Sequence, residues 1–173
     1  MSLIVQKYGG TSMGSVERIE HVASKVAATR AQGHEVVVVV SAMSGETDRL
    51  IKLAKSVNPR GSAREFDQIA ATGEQVTIGL LSMALLAIGV KAKSYTGWQV
   101  QVRTDSAFTK SRIIEIQDEN VRRDLKDGYV VVVAGFQGVD EQGNITTLGR
   151  GGSDTSAVAL AAALKAHECQ IFT

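Results

Sequence analysis

Residues 148–155 read LGRGGSDT and run directly into SAVALAAALK at 156–165. The second segment is rich in alanine and leucine and contains no breaker, so it predicts a strong helix. A glycine-rich loop that opens a helix presents unpaired backbone N–H groups at the positive end of the helix dipole. Arg150 adds a planar, permanently charged group that suits a carboxylate or a phosphate. We interpret this loop as an anion site; the alternative is an ordinary turn with Ser153 or Asp154 as helix cap.

The composition is that of an ordinary globular domain. The chain has 173 residues, of which 44% are hydrophobic and 21% charged, so it can bury one substantial core. A net charge of +1 gives no electrostatic reason to expect nucleic acid as a partner. The single cysteine excludes an internal disulfide, the N-terminus lacks a signal-peptide layout, and the apolar run 76–88 is too short to span a bilayer. We expect a cytoplasmic protein that binds neither nucleic acid nor membrane.

Strands, small-residue loops and helices alternate along the chain. The run of valines at 36–40 is typical of a strand covered on both faces, as in a parallel sheet. A helical stripe starts at Val16, with Ser15 as its N-cap and Gly33 after its end. Further strands are predicted at 3–8, 91–96, 100–104, 112–116 and 129–134 and from 170, and further helices after residue 48, at 65–88, at 118–126 and from the glycine-rich loop to about 167. We expect the helix at 65–88 to break near Gly73 and its apolar second half to be buried.

This order predicts an α/β three-layer sandwich with a mainly parallel sheet. In such sheets ligands collect at the carboxyl ends of the strands. The small-residue loops after Tyr8, Val40, Ala134 and Leu148 are all expected at that end, which locates a site there.

Two familiar phosphate-binding motifs are absent from the sequence. No G-x-x-x-x-G-K-[ST] string occurs, which excludes a P-loop. The loop at 149–154 fails G-x-G-x-x-G because Asp154 stands where the last glycine belongs, and the first strand carries no such fingerprint. Dinucleotide binding is therefore a weak hypothesis.

Two charged residues are candidates for the site. Lys7 ends the first strand directly before a glycine pair at 9–10, where it could direct its ammonium at a phosphate; the alternative is a surface lysine. Glu74 starts the most apolar helix, where a carboxylate favours the helix dipole. If Glu74 is buried it needs a cationic partner, and a substrate ammonium would serve; the alternative is a solvated glutamate.

Five strings, in order, resemble the motifs of aspartate kinases in the amino acid kinase family. They are KYGGTS at 7–12, VVSAMSGET at 39–47, TGE at 72–74, GFQG at 135–138 and GRGGSDT at 149–155. The resemblance covers the whole chain, and the first and last strings together are highly specific. It implies the amino acid kinase (carbamate kinase-like) fold in a single domain at 1–173. It also implies MgATP-dependent phosphorylation of the β-carboxylate of L-aspartate to 4-phospho-L-aspartate, the first step towards lysine, threonine and methionine.

The resemblance also implies residue roles. Lys7 would stabilise charge on the transferring phosphoryl group, and Asp154 would orient Lys7 and the substrate. Arg150 would pair with a substrate carboxylate and Glu74 with the α-ammonium. No catalytic base is needed, because a carboxylate nucleophile is already ionised at neutral pH. The aspartate-binding set is Ser41, Thr47, Glu74, Arg150 and Ser153, and the nucleotide-binding set is Lys7, Gly9, Gly10, Ser41, Gly151, Gly152 and Thr173. Mg²⁺ would arrive with ATP, and no protein ligands for it are identified.

The sequence departs from the family after residue 173. The family continues past such a strand into a D-x-D-G-V-Y-type nucleotide-binding segment, a second lysine and, usually, regulatory ACT domains. We therefore expect a fold truncated at its nucleotide-binding side, little or no turnover by residues 1–173 alone, and no feedback by lysine or threonine. An open sheet edge would favour a homo-oligomer. The alternatives are a non-catalytic aspartate- or anion-binding domain or structural fragment, and another amino acid kinase of the glutamate or acetylglutamate type.

Overall fold

The computed structural model describes residues 2–172, which form nine strands and six helices. The strands are β1 (Leu3–Tyr8), β2 (Glu35–Val40), β3 (Ala92–Tyr95), β4 (Val102–Thr104), β5 (Ile113–Ile116), β6 (Val130–Ala134), β7 (Gln137–Val139), β8 (Ile145–Thr147) and β9 (Glu168–Phe172). The helices are α1 (Val16–Ala31), α2 (Glu46–Val57), α3 (Ala63–Ala70), α4 (Thr72–Ala87), α5 (Glu119–Lys126) and α6 (Gly152–Leu164).

The central layer is a five-stranded sheet in the order β3-β6-β2-β1-β9, and all of its pairs are parallel. The valine runs form its middle, since Val38 of β2 pairs with Gln6 of β1 and with Val132 of β6. Successive strand residues point to opposite faces, so an unbroken apolar run serves a strand that is covered on both. The predicted parallel sheet is confirmed.

Helices cover both faces of this sheet. On one face Val36, Val38 and Val40 pack with apolar residues of α1 and α4. On the other face Val37 and Val39 pack with apolar residues of α5 and α6. The molecule is thus a three-layer sandwich, as predicted from the sequence.

A second, smaller sheet stands beside the sandwich in the order β5-β4-β7-β8. Its β7–β8 hairpin turns at residues 140–144, where Asp140 accepts hydrogen bonds from the backbone N–H groups of Gln142 and Asn144 at 3.0 and 2.8 Å. This sheet matters for the site because β7 follows β6 directly and carries Gln137.

The helix predicted at 65–88 differs from the structure in two respects. It begins two residues earlier than predicted, at Ala63, while the break expected near Gly73 is confirmed, since α3 ends at Ala70 and α4 begins at Thr72. Gly73 lies against the loop after β2, where a Cβ would come within 2.8 Å of the Cβ of Ala42, so this glycine serves close packing. The second half is also not buried all round: Val76, Met83 and Leu86 are more than half exposed, because α4 packs on the sheet and α1 with one side only.

Residues 63–87 are the one segment of the described chain that is long and apolar enough, by length and composition alone, to cross a membrane. Half of its most apolar stretch is buried inside the protein, and core helices are commonly as long and as apolar as this segment. The compartment of the protein stays a prediction.

The ends of other elements follow their predicted signals closely. Ser15 caps α1 by accepting a hydrogen bond from the N–H of Arg18 at 3.2 Å, and Gly33 follows the helix at φ +92°. The last helix stops at Leu164, earlier than the predicted 167, because Lys165 adopts a left-handed conformation. Among residues 2–172, β9 pairs only with β1 and leaves its other edge open.

Candidate functional site

Four loops meet at the carboxyl ends of the central strands and line an open cavity of about 550 Å³. This volume falls in the range usual for small-molecule sites. The walls come from the loops after β1, β2, β6 and β8, together with the first turns of α2, α4 and α6 and with Thr109. The predicted convergence of the small-residue loops is confirmed. Of the predicted site residues, Gly10, Ser41, Thr47, Glu74, Arg150, Gly151, Gly152 and Ser153 line this cavity.

The loop after β2 is joined to the start of α6 by a hydrogen bond. The Ser41 hydroxyl donates to the Ser153 hydroxyl at 3.0 Å. Gly135, at the end of β6, allows this approach, since a Cβ there would lie 2.8 Å from the Cβ of Ser153. The backbone N–H of Phe136 donates to Ser156 at 2.9 Å and holds the same loop against α6.

The glycine-rich loop opens α6 without a side-chain cap. Its N-cap is Gly151 in the left-handed conformation, at φ 72°, and no side chain accepts a hydrogen bond from the first turn. Ser153 and Asp154 lie inside the helix, so the alternative in which one of them caps it is wrong. The first helical backbone donor is Thr155, which bonds Gly151 O at 3.0 Å. The earlier N–H groups therefore keep their donor capacity at the cavity wall, where the helix dipole favours an anion.

Lys7 and Asp154 form an ion pair beside the cavity, with Nζ and Oδ1 2.9 Å apart. The Lys7 side chain is 10% exposed and that of Asp154 is 52% exposed, so the alternative of a surface lysine is wrong. Lys7 and Gly9 do not line the cavity, whereas Gly10 does. This places a fixed positive charge next to the loop after β1.

Glu74 is a buried carboxyl group in the first turn of α4, with 2% of its surface exposed. Loss of hydration raises its pKa to about 8, although hydrogen bonds from Gln137 and from the backbone N–H groups of Glu74 and Ala42 counteract part of this rise. No lysine, arginine or histidine of residues 2–172 forms an ion pair with Glu74. The alternative of a solvated glutamate is wrong, and the cavity contains a carboxyl group that a cation would pair with.

Arg150 is the cationic counterpart of Glu74 in the cavity wall. It is exposed and makes no hydrogen bond or ion pair with the described residues. Its guanidinium is therefore free to take a carboxylate or a phosphate. Ser41 and Ser153 are partly buried, and so is Thr47. The cavity thus combines an unpaired guanidinium, a helix N-terminus and hydroxyl groups with one buried carboxyl group.

The model of the amino acid kinase family matches residues 2–173. The chain belongs to this family. The aspartokinase of Pseudomonas aeruginosa is 68% identical over the whole chain, and the chain spans 42% of that relative's length. The crystal structure of aspartate kinase from Synechocystis superposes with a TM-score of 0.84 and 50% sequence identity. The superposition covers 99% of this chain and 28% of the Synechocystis chain. Aspartokinase III of E. coli, crystallised with aspartate and ADP, shares the fold with a TM-score of 0.88 at 24% identity, over 99% of this chain and 49% of its own.

The amino acid kinase fold and the resemblance to aspartate kinases are thereby confirmed. The chain spans about two fifths of the length of the curated relatives it matches. Thr173, predicted to bind nucleotide, lies outside the described residues. The roles of the other predicted site residues stay predictions, which their positions around the cavity make testable.

Sequence reasoning missed three buried polar residues that hold this amino acid kinase site together. Thr77 donates to Ser41 O at 2.8 Å. Asp67 accepts from Thr109 N at 3.0 Å and from Thr147 N at 2.8 Å, and so holds the cavity-lining residue Thr109. Gln137 donates to Glu74 at 3.0 Å. A signal existed for Asp67 and Thr77, which lie at helical spacings from Glu74 on the same apolar segment.

Proposed function

We propose that the protein is an aspartate kinase, which transfers the γ-phosphoryl group of ATP to the β-carboxylate of L-aspartate and so forms 4-phospho-L-aspartate and ADP. The observation that carries the proposal is that one cavity presents both an unpaired guanidinium, that of Arg150, and a buried carboxyl group, that of Glu74. An amino acid with a second carboxylate has the complementary charges. High identity to aspartate kinases over all 173 residues supports the same substrate.

Aspartate would be held at both of its charged ends. Arg150 would bind a carboxylate through two parallel N–H donors, and Glu74 would accept hydrogen bonds from the α-ammonium. Ser41, Thr47 and Ser153 would supply short hydroxyl donors between these two points. The hydrogen bond between Ser41 and Ser153 fixes the distance between two of these hydroxyls before the substrate arrives.

Phosphoryl transfer would then depend on position and charge rather than on proton transfer. A β-carboxylate oxygen of aspartate forms the new bond to the γ-phosphorus, and the bond from that phosphorus to the bridging oxygen of ADP breaks. Lys7 would stabilise the charge on the transferring group, with Asp154 holding its ammonium at 2.9 Å. Gly9, Gly10, Gly151 and Gly152 would let the phosphates approach the backbone, and Ser41 would lie between substrate and nucleotide.

Mg²⁺ would be held mainly by the phosphates of the nucleotide. Residues 2–172 contain no group of three or more His, Cys, Asp or Glu side chains that could hold a metal ion. The ion would enter with the phosphates of ATP, and we assign none of these residues to it. Cytoplasmic location, assembly into a homo-oligomer and a role in lysine, threonine and methionine biosynthesis belong to the same proposal.

Substrate choice is tested by calorimetric titration of the purified protein with L-aspartate, L-glutamate and N-acetyl-L-glutamate. Aspartate should bind most tightly, and tighter binding of either longer ligand would refute the substrate assignment. Transfer is tested in a chimaera that joins this chain to the rest of the Pseudomonas aeruginosa aspartokinase. With MgATP it should form aspartyl hydroxamate in the presence of hydroxylamine and aspartate, and the Lys7→Ala chimaera should not. A chimaera that folds and binds both substrates without transfer would contradict the proposed reaction.

A further inference from the structure

Gln137 makes three hydrogen bonds at the back of the cavity, and its side chain is fully buried. Its amide N–H₂ group donates to Glu74 Oε1 at 3.0 Å and to Ala71 O at 2.8 Å. Its amide oxygen accepts from the backbone N–H of Gly97 at 3.0 Å. Both amide protons and one oxygen lone pair are thus used. The two acceptors lie at the start of α4, and the donor lies in the loop after β3.

These contacts fix which way the amide faces. The Gly97 N–H can only donate, so the oxygen of Gln137 must face it and the nitrogen must face Glu74. Gly97 packs closely on β7, since a Cβ at this position would come within 2.3 Å of the backbone carbonyl oxygen of Gln137. This close packing keeps the Gly97 N–H donor in place. A rotated amide would set its N–H₂ group against the Gly97 N–H and its oxygen against Ala71 O, and would leave buried groups unsatisfied. Glu74 therefore always meets a donor.

We propose that Gln137 is a positioning residue for substrate recognition, which orients the Glu74 carboxylate and favours its ionised form for the ammonium group of the substrate. The inference rests on the proposed function. A donor stabilises a carboxylate more than it stabilises the neutral acid, because charge-assisted hydrogen bonds are stronger. Ala71 O belongs to the junction of α3 and α4, so the same amide also sets the position of the helix turn that carries Glu74.

Other charged groups near Glu74 do not replace this contact. Asp48 and Arg150 line the same cavity, but Asp48 is itself an acid, and Arg150 forms no ion pair with Glu74. Glu46 lies near Gly73, where a Cβ would come within 3.8 Å of its Cγ, and its hydrogen bond with Arg49 lowers the pKa of its carboxyl group. Gln137 is the described side chain that donates to Glu74.

The test compares Gln137→Met, which keeps the length of the side chain and removes the amide, with a matched control. Gln99→Met serves as control, since Gln99 accepts from Thr96 N in the same loop as Gly97 and does not touch Glu74. In the ligand-free protein, ¹³C NMR of the Glu74 carboxyl group should show its titration shifted upward by about one pH unit in Gln137→Met. It should be unchanged in Gln99→Met. This readout requires no substrate.

Calorimetry supplies the second readout. At pH 7 the Gln137→Met variant should bind aspartate about tenfold more weakly, and the loss should shrink as the pH rises towards 10. Succinate, which has no ammonium, should bind within about twofold of the parent. In a Glu74→Gln background, Gln137→Met should cause little further loss of aspartate affinity. If Gln137→Met does not fold, Gln137→Asn, whose amide is one methylene too short, takes its place.

The possible results separate the two claims. Equal weakening of aspartate and succinate, with an unmoved Glu74 titration, would mean that Gln137 only supports the fold, and would overturn the inference. A parent that binds no aspartate would overturn the proposed function, while the NMR titration would still report whether Gln137 controls the protonation of Glu74.

Discussion

Aspartate binding should be linked to the release of a proton from Glu74. Burial raises the pKa of this carboxyl group to about 8, so about nine in ten molecules carry it protonated at pH 7. Pairing with the substrate ammonium requires the ionised form. Deprotonation at pH 7 therefore costs about 1.4 kcal/mol, and this cost vanishes once the pH exceeds the pKa.

The expected result is an aspartate affinity that rises about tenfold between pH 7 and pH 9 and then levels off. Titration at pH 7 in two buffers with different ionisation enthalpies should show release of close to one proton for each aspartate bound. Glu74→Gln should remove both the pH dependence and the proton release, because an amide does not titrate. Succinate provides the ligand control, since it has no ammonium and should bind with little dependence on pH in this range.

An aspartate affinity that is constant from pH 6 to pH 9, with no dependence on the buffer, would refute this reasoning. It would mean that Glu74 either is ionised in the empty cavity or does not meet the ammonium. Proton release that persists in Glu74→Gln would assign the titration to another group.

Three further predictions concern stability, catalysis and assembly. The pKa of Glu74 is higher in the folded than in the unfolded chain, so the native state binds more protons between about pH 4.5 and 8. The free energy of unfolding should therefore fall as the pH rises across that window. Chemical denaturation should show a loss of roughly 3–5 kcal/mol that is absent in Glu74→Gln. Lys7→Ala should change aspartate affinity by less than about twofold, because the partner assigned to Lys7 is the phosphate. Loss of the ion pair with half-exposed Asp154 should reduce stability by at most about 1 kcal/mol. A Lys7→Ala variant that no longer binds aspartate would show that the role assigned to Lys7 is wrong. The exposed apolar side of α4 or the open edge of β9 should support self-association. Met83→Lys should weaken this association if α4 forms the interface. A monomer at high concentration in light scattering would contradict the prediction.

The fold could be predicted because its signals are local and repeated. The valines at 36–40 require a strand buried on both faces. Ser15 marks the start of α1 by its side-chain cap, and Gly33 marks the end by its left-handed backbone. The exposure of Val76 and Met83 could not be predicted in this way. A helix that is apolar on every side has no periodicity to show which side faces the core, so its orientation depends on the neighbouring elements.

Parts of the site could be predicted where the chemistry of a residue depends only on its local sequence. Arg150 and the glycines around it indicate an anion site wherever they occur before a helix. The contribution of Gln137 arises only from the fold, because β7 brings its amide against Glu74 of α4 and the adjoining Ala71, which lie more than 60 positions earlier in the sequence. The choice between solvated and buried forms of Glu74 likewise depends on tertiary packing, since a glutamate in a first helical turn suits both.

The measurement that tests the central claim most directly is the titration of the parent and the Arg150→Ala variant with L-aspartate and succinate. Loss of one bidentate, charge-assisted contact should cost about 1.5–3 kcal/mol, which corresponds to roughly ten- to hundredfold weaker binding of both ligands. The smaller value is expected, because Arg150 is exposed, and Arg150→Lys should recover only part of the loss. Undiminished aspartate binding by Arg150→Ala, or no aspartate binding by the parent, would contradict the assignment of this cavity as an aspartate site.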